Sequence, residues 1–143
     1  MTNMKNLLAA IAAIMLTFLS MGVAHAETKS GPRNVGIKGV WVGTNYGFEN
    51  GLFKNTDLRW TVEKVNGVTF TGVKSFREVQ TGEWSEPEPF MGIMYKNGEF
   101  HAVDSDGVII GKRTSPKKIR ASYLKAAGDN QDALVMKMTK ASR

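Results

Sequence analysis

Residues 58–76 read LRWTVEKVNGVTFTGVKSF, two alternating runs joined by the dipeptide Asn66-Gly67. Apolar side chains such as Trp60 alternate with polar ones, which is typical of a strand with one buried and one solvated face. Asn-Gly tolerates the positive φ angles of a type I′ turn, so the stretch predicts a tight antiparallel hairpin. Asn97-Gly98 and Asp106-Gly107 repeat this signal between later apolar runs. Three such signals predict strands that pair with their sequence neighbours.

The same reasoning extends over the rest of the chain. It predicts eight strands, at Gly39–Phe48, Leu58–Val65, Val68–Phe76, Phe90–Lys96, Glu99–Asp104, Val108–Arg113, Lys118–Leu124 and Ala133–Thr139. The intervening segments are predicted as a connection from Phe48 to Asp57, a loop from Gln80 to Pro89 and a turn at Gly128-Asp129-Asn130. The predicted fold is all-β, an antiparallel up-and-down meander that closes into a small barrel of about eight strands.

The N-terminus has the pattern of a cleavable export signal. Lys5 precedes an apolar run from Leu7 to Leu19, and Ala24-His25-Ala26 matches the small-x-small cleavage rule. The run is shorter than the ~20 apolar residues that a spanning helix needs, although a retained membrane anchor is the alternative. We therefore predict a signal peptide at 1–26, cleavage after Ala26, a periplasmic or secreted location and no transmembrane segment after processing. Residues 27–38 are predicted as a polar leader, and 39–143 as one barrel domain.

Composition fits this assignment. The chain has 143 residues, no cysteine and a formal net charge of +6. A length of this order corresponds to one domain, and the fold must be stabilised without disulfides. Absence of cysteine favours a bacterial envelope protein over a small disulfide-stapled secreted domain.

Gly39-Val40-Trp41, at the start of the first strand, resembles the opening of the lipocalin and avidin-type barrels, the calycins. The resemblance implies that Trp41, following Gly39, plugs one end of the barrel. It also implies a basic side chain from a late strand packed across that Trp, for which Arg120 and Lys137 are both candidates. The chain departs from lipocalins in lacking a C-terminal helix, and the biotin contacts of avidins are not reproduced, so biotin binding is not predicted.

Residues that carry catalysis are scarce. After residue 26 the chain has one histidine, His101, which is predicted on the outer face of its strand. A zinc site needs about four convergent ligands, and no nucleotide-binding motif occurs, so neither a metal nor a cofactor is predicted. Asp104 and Asp106 are explained by turn chemistry rather than by a calcium loop. We predict a protein that is not an enzyme; catalysis by carboxylates such as Glu63 or Asp104 is a third alternative.

Two predicted surface features, a loop and a basic cluster, are candidates for contact with a partner. The loop from Gln80 to Pro89 contains Trp84, either as a lid or partner contact or as a Trp that folds back onto the barrel rim. A basic cluster surrounds Ser115-Pro116 and consists of Lys112, Arg113, Lys117, Lys118 and Arg120. This cluster is predicted either to contact an anionic envelope surface or to form a solvated edge that opposes aggregation. Nucleic acid is excluded as a partner because export and the lack of aromatic-basic stacking motifs both oppose it.

The predicted function is that of a non-enzymatic binding module that holds a small, largely apolar or amphipathic ligand inside the barrel. The candidate wall residues share apolar or aromatic character: Tyr46, Trp60, Phe70, Phe90, Tyr123, Met136 and Met138. Thr44 or a Tyr hydroxyl is the candidate for orienting a polar group. The alternative is a filled barrel that acts as an interaction or structural protein of the envelope, in which the same side chains form the core.

Overall fold

The computed structural model describes residues 35–127 and 130–142 of the chain. It contains eight strands: β1 (Gly39–Glu49), β2 (Leu52–Asn66), β3 (Thr69–Phe76), β4 (Glu88–Met94), β5 (Glu99–Val103), β6 (Gly107–Ser115), β7 (Lys118–Ala127) and β8 (Asn130–Lys140). Within the described residues, no helix has the length and apolar character needed to cross a membrane. The predicted signal peptide, and the leader as far as residue 34, lie outside the described residues.

All strand pairs are antiparallel, and each strand pairs with its sequence neighbours. β1 also pairs with β8, so the sheet closes into an eight-stranded barrel. This confirms the predicted all-β meander and its closure. One end of the barrel, here called the closed end, holds the start of β1 and the end of β8. The other, here called the mouth, holds the β1–β2 turn and the β3–β4 loop.

The predicted connection from Phe48 to Asp57 is wrong. Most of it is strand, because β1 and β2 form one long hairpin around Asn50-Gly51. Asn50 has φ of 49° and Gly51 of 78°, which is the pair of left-handed angles that a type I′ turn requires. Phe48 and Phe53 are opposite each other in this hairpin, with ring centroids 5.8 Å apart. Aromatic cross-strand packing therefore favours strand where the many Asn residues suggested a loop.

The hairpins at the three quoted dipeptides are confirmed, but their turns are not type I′. Gly67 has φ of 59° and Gly98 of 84°, whereas the Asn before each has a negative φ. Asn66 pairs with Thr69, so Gly67 occupies the first central position, the place where a type II′ turn needs positive φ. Asp106-Gly107 uses no positive φ at all.

The β5–β6 turn is held instead by a side chain. Asp104 Oδ1 accepts hydrogen bonds from the backbone N–H groups of Asp106 at 2.8 Å and Gly107 at 2.7 Å. This Asx-type turn replaces a glycine conformation with two side-chain hydrogen bonds, as the turn-chemistry interpretation of the aspartates expects.

The predicted loop from Gln80 to Pro89 ends too late, because Glu88 and Pro89 already belong to β4. Pro89 pairs with Val73 of β3, whereas the pairing of β4 with β5 begins only at Met91. Pro89 therefore has a partner strand on one side only, where the missing N–H of proline is tolerated. Of the predicted turn at 128–130, the first two residues lie outside the described residues, and Asn130 begins β8.

Glycines in the barrel interior make room for large rings. Phe70 is opposite Gly92, and Phe100 is opposite Gly111. A Cβ atom at Gly92 would lie 2.5 Å from Phe70 Cζ, and one at Gly111 would lie 2.5 Å from Phe100 Cζ. The two Phe rings therefore occupy the volume that side chains at these glycines would take, and they fill the middle of the barrel.

Candidate functional site

Trp41 lies buried at the end of the barrel where β1 begins. Its side chain is fully buried, and its Nε1 donates a hydrogen bond to the carbonyl of Ile37 at 2.7 Å. Ile37 is itself fully buried and Val35 packs against the core, so these two residues of the predicted polar leader belong to it, whereas Gly36 and Lys38 are exposed. The basic side chain over the Trp41 ring is Lys140, with Nζ 5.5 Å from the ring centroid.

The basic partner of Trp41 was predicted among two other residues, and that prediction is wrong. Arg120 and Lys137 are exposed and opposite each other on β7 and β8. Lys137 Nζ lies 5.1 Å from the centroid of the Tyr46 ring instead. Lys140 lies one residue beyond the predicted end of strand eight, so it was not considered as a partner of Trp41.

The middle of the barrel is filled by four buried aromatic rings, those of Trp60, Phe70, Phe90 and Phe100. The centroid of the Trp60 ring lies 4.9 Å from that of Phe90 and 6.1 Å from that of Phe100, and Phe70 lies 6.1 Å from Phe90. Such tilted and edge-to-face contacts are those of a packed core. The Trp60 indole N–H is buried without a hydrogen-bond partner among the described residues.

Above this aromatic layer, the barrel opens into a cavity of about 710 Å³ at the mouth. Side chains from β1, β2, β3, β4, β7 and β8, from the β3–β4 loop and from the β5–β6 turn line it. We call it the mouth cavity and define it by Leu58, Lys74, Tyr123, Asp132, Leu134 and Met136. Its rim carries exposed apolar side chains, namely Leu52, Phe53 and Val79.

A buried ionic cluster lies at this cavity. Lys74 is nearly buried on β3, where it forms an ion pair with Glu88 of β4. Lys74 Nζ also lies 3.1 Å from Oδ2 of Asp104, whose side chain is only 1% exposed. The Tyr123 hydroxyl donates to Asp104 Oδ1 at 3.4 Å, and Lys74 Nζ lies 5.3 Å from the Tyr123 ring centroid. Three strands and one turn thus hold their polar groups together in the barrel interior.

The electrostatics of the cluster favour a neutral phenol. Burial raises the pKa of Tyr123 well above its usual range, and the neighbouring carboxylates, Asp104 first among them, raise it further. Beside it, Lys125 Nζ donates to Asp106 Oδ2 at 3.1 Å. That hydrogen bond lowers the pKa of Asp106 and raises the pKa of Lys125.

The structure brings two of the seven predicted wall residues, Tyr123 and Met136, to the mouth cavity. Four others are buried in the core and do not line it: Trp60, Phe70, Phe90 and Met138. Tyr46 lies on the outer face, opposite exposed Val135, so its predicted interior position is wrong. Side chains alternate along a strand, so Tyr46, five positions after the inward Trp41, points outward. Thr44, the candidate for orienting a polar group of the ligand, points outward for the same reason.

Sequence reasoning missed the charged members of the site, Lys74 and Asp132. Lys74 is four residues from the inward Phe70 and therefore shares its face. The alternation along β3 thus indicated an inward side chain at Lys74, but a charged residue was not expected in the barrel interior. Asp132 lies between the predicted turn at 128–130 and the predicted start of strand eight at Ala133, so it was assigned to neither.

Trp84 lies on the outer surface rather than at the cavity. It is half-buried, with the Arg59 guanidinium carbon 4.4 Å and the Arg77 guanidinium carbon 5.4 Å from its ring centroid. A backbone bridge between Arg77 and Trp84 holds this part of the loop. This geometry corresponds to the expected alternative in which the Trp folds back onto the barrel.

The basic cluster surrounds the β6–β7 turn at the closed end. Lys112, Lys117, Lys118 and Arg120 are exposed, and Arg113 is half-buried with its guanidinium near Gly36. Lys118 and Arg120 also line a shallow outer groove of about 620 Å³ beside β8. The basic cluster and the mouth cavity therefore lie at opposite ends of the barrel.

An apolar row runs around the outside of the barrel near the mouth. Its members are opposite one another on successive strands and all exposed: Met91, Val103, Val108, Leu124, Ala133, Phe48 and Phe53. His101 lies on the same outer surface, with its ring 5.7 Å from that of Tyr95. Among residues 35–127 and 130–142, no group of three or more His, Cys, Asp and Glu side chains is arranged to hold a metal ion.

A scan of protein-family models finds no family that matches this chain, and no curated protein matches it in sequence. The closed eight-stranded antiparallel barrel, with Trp41 at one end and the mouth cavity at the other, is therefore the basis on which its function is argued.

Proposed function

We propose that this protein is an exported, non-enzymatic binding module that holds a small amphipathic molecule in the mouth cavity. The observation that carries the proposal is the cavity itself. It is walled by six of the eight strands, and its volume of about 710 Å³ falls within the ~300–1,000 Å³ that is usual for ligand pockets. Apolar Leu58, Leu134 and Met136 line it together with charged side chains, which suits a ligand with an apolar and a polar part.

A wholly apolar ligand deep in the barrel has less support. The aromatic rings around Trp60 already pack against one another there, at centroid distances of 4.9–6.3 Å. The proposal therefore moves the ligand from the predicted interior to the mouth. The opening Gly39-Val40-Trp41 and the buried Trp41 support grouping the chain with the calycin-type barrels.

The test is calorimetric titration of the purified protein with soluble amphiphiles, using a variant that fills the cavity. Leu134→Trp places a large side chain in the cavity wall, whereas Val135→Trp places the same side chain on the outer face of the same strand. We expect the wild type and Val135→Trp to bind, and Leu134→Trp to lose binding while it still unfolds cooperatively. Equal binding by all three proteins would contradict the mouth cavity as the binding site.

The alternative function, a filled barrel that contacts another protein in the envelope, is favoured by one observation, the exposed apolar row that includes Met91, Val103 and Leu124. Exposed apolar surfaces of this kind mark interaction sites. Sedimentation velocity of the wild type and of Val103→Lys would reveal self-association through this row. Failure of every amphiphile to bind, together with association that Val103→Lys abolishes, would make this the preferred function.

The proposed location and surface contact have tests of their own. N-terminal sequencing of protein recovered from the envelope should begin at Glu27, and recovery of chains that retain Met1 would contradict cleavage. Co-sedimentation with anionic vesicles should decrease when Lys117 and Lys118 are both changed to Gln, if the basic cluster contacts an anionic envelope surface. Unchanged co-sedimentation would favour the solvated-edge interpretation of these lysines.

A further inference from the structure

The mouth cavity is locally acidic although the chain as a whole carries a formal net charge of +6. Four basic side chains line it, namely Lys54, Lys74, Arg77 and Lys125, against five acidic ones, namely Glu49, Glu78, Glu88, Asp106 and Asp132. Asp104 adds a sixth carboxylate in contact with Lys74. The balance of charge at the cavity therefore has the opposite sign to that of the protein.

Each of the four basic side chains already has a carboxylate partner. Lys54 pairs with Glu49 at 2.6 Å, Lys125 with Asp106 at 3.1 Å, and Arg77 with Asp57 at 3.5 Å. Lys74 pairs with both Glu88 and Asp104. An anionic ligand head would therefore find no unpaired cation among these four side chains. The excess negative charge of the cavity would also repel it.

The carboxylate of Asp132, by contrast, lacks a hydrogen-bond donor at one of its oxygens within the part of the chain that the structure describes. It is opposite Glu49 on β1 and Lys125 on β7, and it lines the mouth cavity. Asp132 is partly exposed, and its Oδ1 atom is buried without a hydrogen-bond partner among the described residues. Asp104 Oδ2 also receives no aligned hydrogen bond from these residues, but it lies 3.1 Å from Lys74 Nζ. A buried acceptor left unsatisfied is costly, and a charged donor satisfies it best.

We infer that the ligand of the mouth cavity carries a cationic head, an amine or a guanidinium, whose N–H groups bind Asp132, with its apolar part against Leu58, Leu134 and Met136. This inference rests on the proposed function and specifies the class of ligand. Burial is the main cause of the raised pKa of Tyr123, and the carboxylates that raise it further, Asp104, Asp106 and Asp132 among them, contribute a negative field at the same cavity.

The experiment compares three amphiphiles that share one chain and differ in the head: octylamine, octanol and octanoate. Each is titrated calorimetrically into the purified wild type, into Asp132→Asn and into Glu63→Gln. The last variant removes an exposed carboxylate near the closed end, so it changes net charge equally without touching the cavity.

We expect the wild type to bind octylamine more tightly than octanol, and octanol more tightly than octanoate. Asp132→Asn should weaken octylamine about tenfold or more, as for a partly buried charge pair, and should leave octanol within about twofold. Glu63→Gln should match the wild type. As a measurement independent of any variant, rising salt should weaken octylamine and spare octanol, because salt screens only the charged contact.

The outcomes separate the two claims. Octanoate binding as tightly as octylamine, or octylamine binding that is insensitive to both Asp132→Asn and salt, would overturn the cationic head and leave the binding module standing. No binding of any of the three would overturn the binding module itself.

Discussion

Replacing Lys74 by Met should destabilise the protein strongly, because it breaks the ionic cluster without changing its volume much. The Lys74 side chain is 11% exposed and that of Asp104 is 1% exposed, so Asp104 would be left as a buried charge without its cation. Breaking a buried pair in this way typically costs about 3–5 kcal/mol. A Coulomb energy of roughly 5 kcal/mol at their separation, with an effective dielectric constant of ~20, has the same size. Glu88 is 43% exposed and would be rehydrated, so it adds little to the cost.

Urea unfolding of the wild type, Lys74→Met, Asp104→Asn and the double variant measures this directly. We expect the double variant to be at least ~2 kcal/mol more stable than the sum of the single losses implies, because removing both charges leaves neither unpaired. The matched control is Lys54→Met, which breaks the exposed pair with Glu49 and should cost at most about 1 kcal/mol. A loss below ~1 kcal/mol for Lys74→Met, or losses that simply add, would refute the reasoning. Should Lys74→Met fail to fold, a folded double variant would still show the coupling, and an unfolded one would contradict it.

Three further predictions concern the buried Trp41, the turn at Gly67 and the phenol of Tyr123. Trp41→Ala should cost about 3–5 kcal/mol in urea unfolding, because a fully buried aromatic that hydrogen-bonds Ile37 is lost; a loss below ~1 kcal/mol would contradict its role as a plug. Gly67→Val should cost on the order of 1–3 kcal/mol, because its φ of 59° is strained for a β-branched residue; a neutral effect would argue against the observed turn. The raised pKa of Tyr123 contributes stability that is present below the unfolded pKa near 10.0 and is lost as pH rises from there towards the folded value. Tyr123→Phe should therefore flatten the alkaline loss of stability in thermal melts; a slope equal to that of the wild type would contradict the buried phenol.

The barrel was predictable because its signals are local. Alternation around Trp60 and the glycine-containing dipeptides gave the number and order of the strands, and Gly39-Val40-Trp41 correctly indicated a buried Trp at the barrel end. The β1–β2 hairpin was missed because Asn50-Gly51 is embedded in an Asn-rich stretch with weak β propensity. There the pairing of Phe48 with Phe53 overrides composition.

The site was less predictable because it depends on the register between distant strands. Lys74, Asp104 and Tyr123 meet only after β3, the β5–β6 turn and β7 are placed around the closed barrel. The alternation with Phe70 places Lys74 on the inward face, but a lysine in a strand is usually solvated, so its charge argued against that position. Trp60, Phe70 and Phe90 were correctly expected inside, but only closure reveals that these rings fill the middle and leave space at the mouth.

The most direct test of the central claim is to map, by backbone amide chemical shifts in solution, where octylamine binds to the isotope-labelled protein. The account predicts saturable shifts that cluster at the mouth, around Lys74, Asp132 and Leu134, with little change along the outer apolar row from Met91 to Leu124 or at the closed end. Shifts confined to the outer row around Val103 and Val108, or no saturable shifts at all, would contradict a binding site in the mouth cavity.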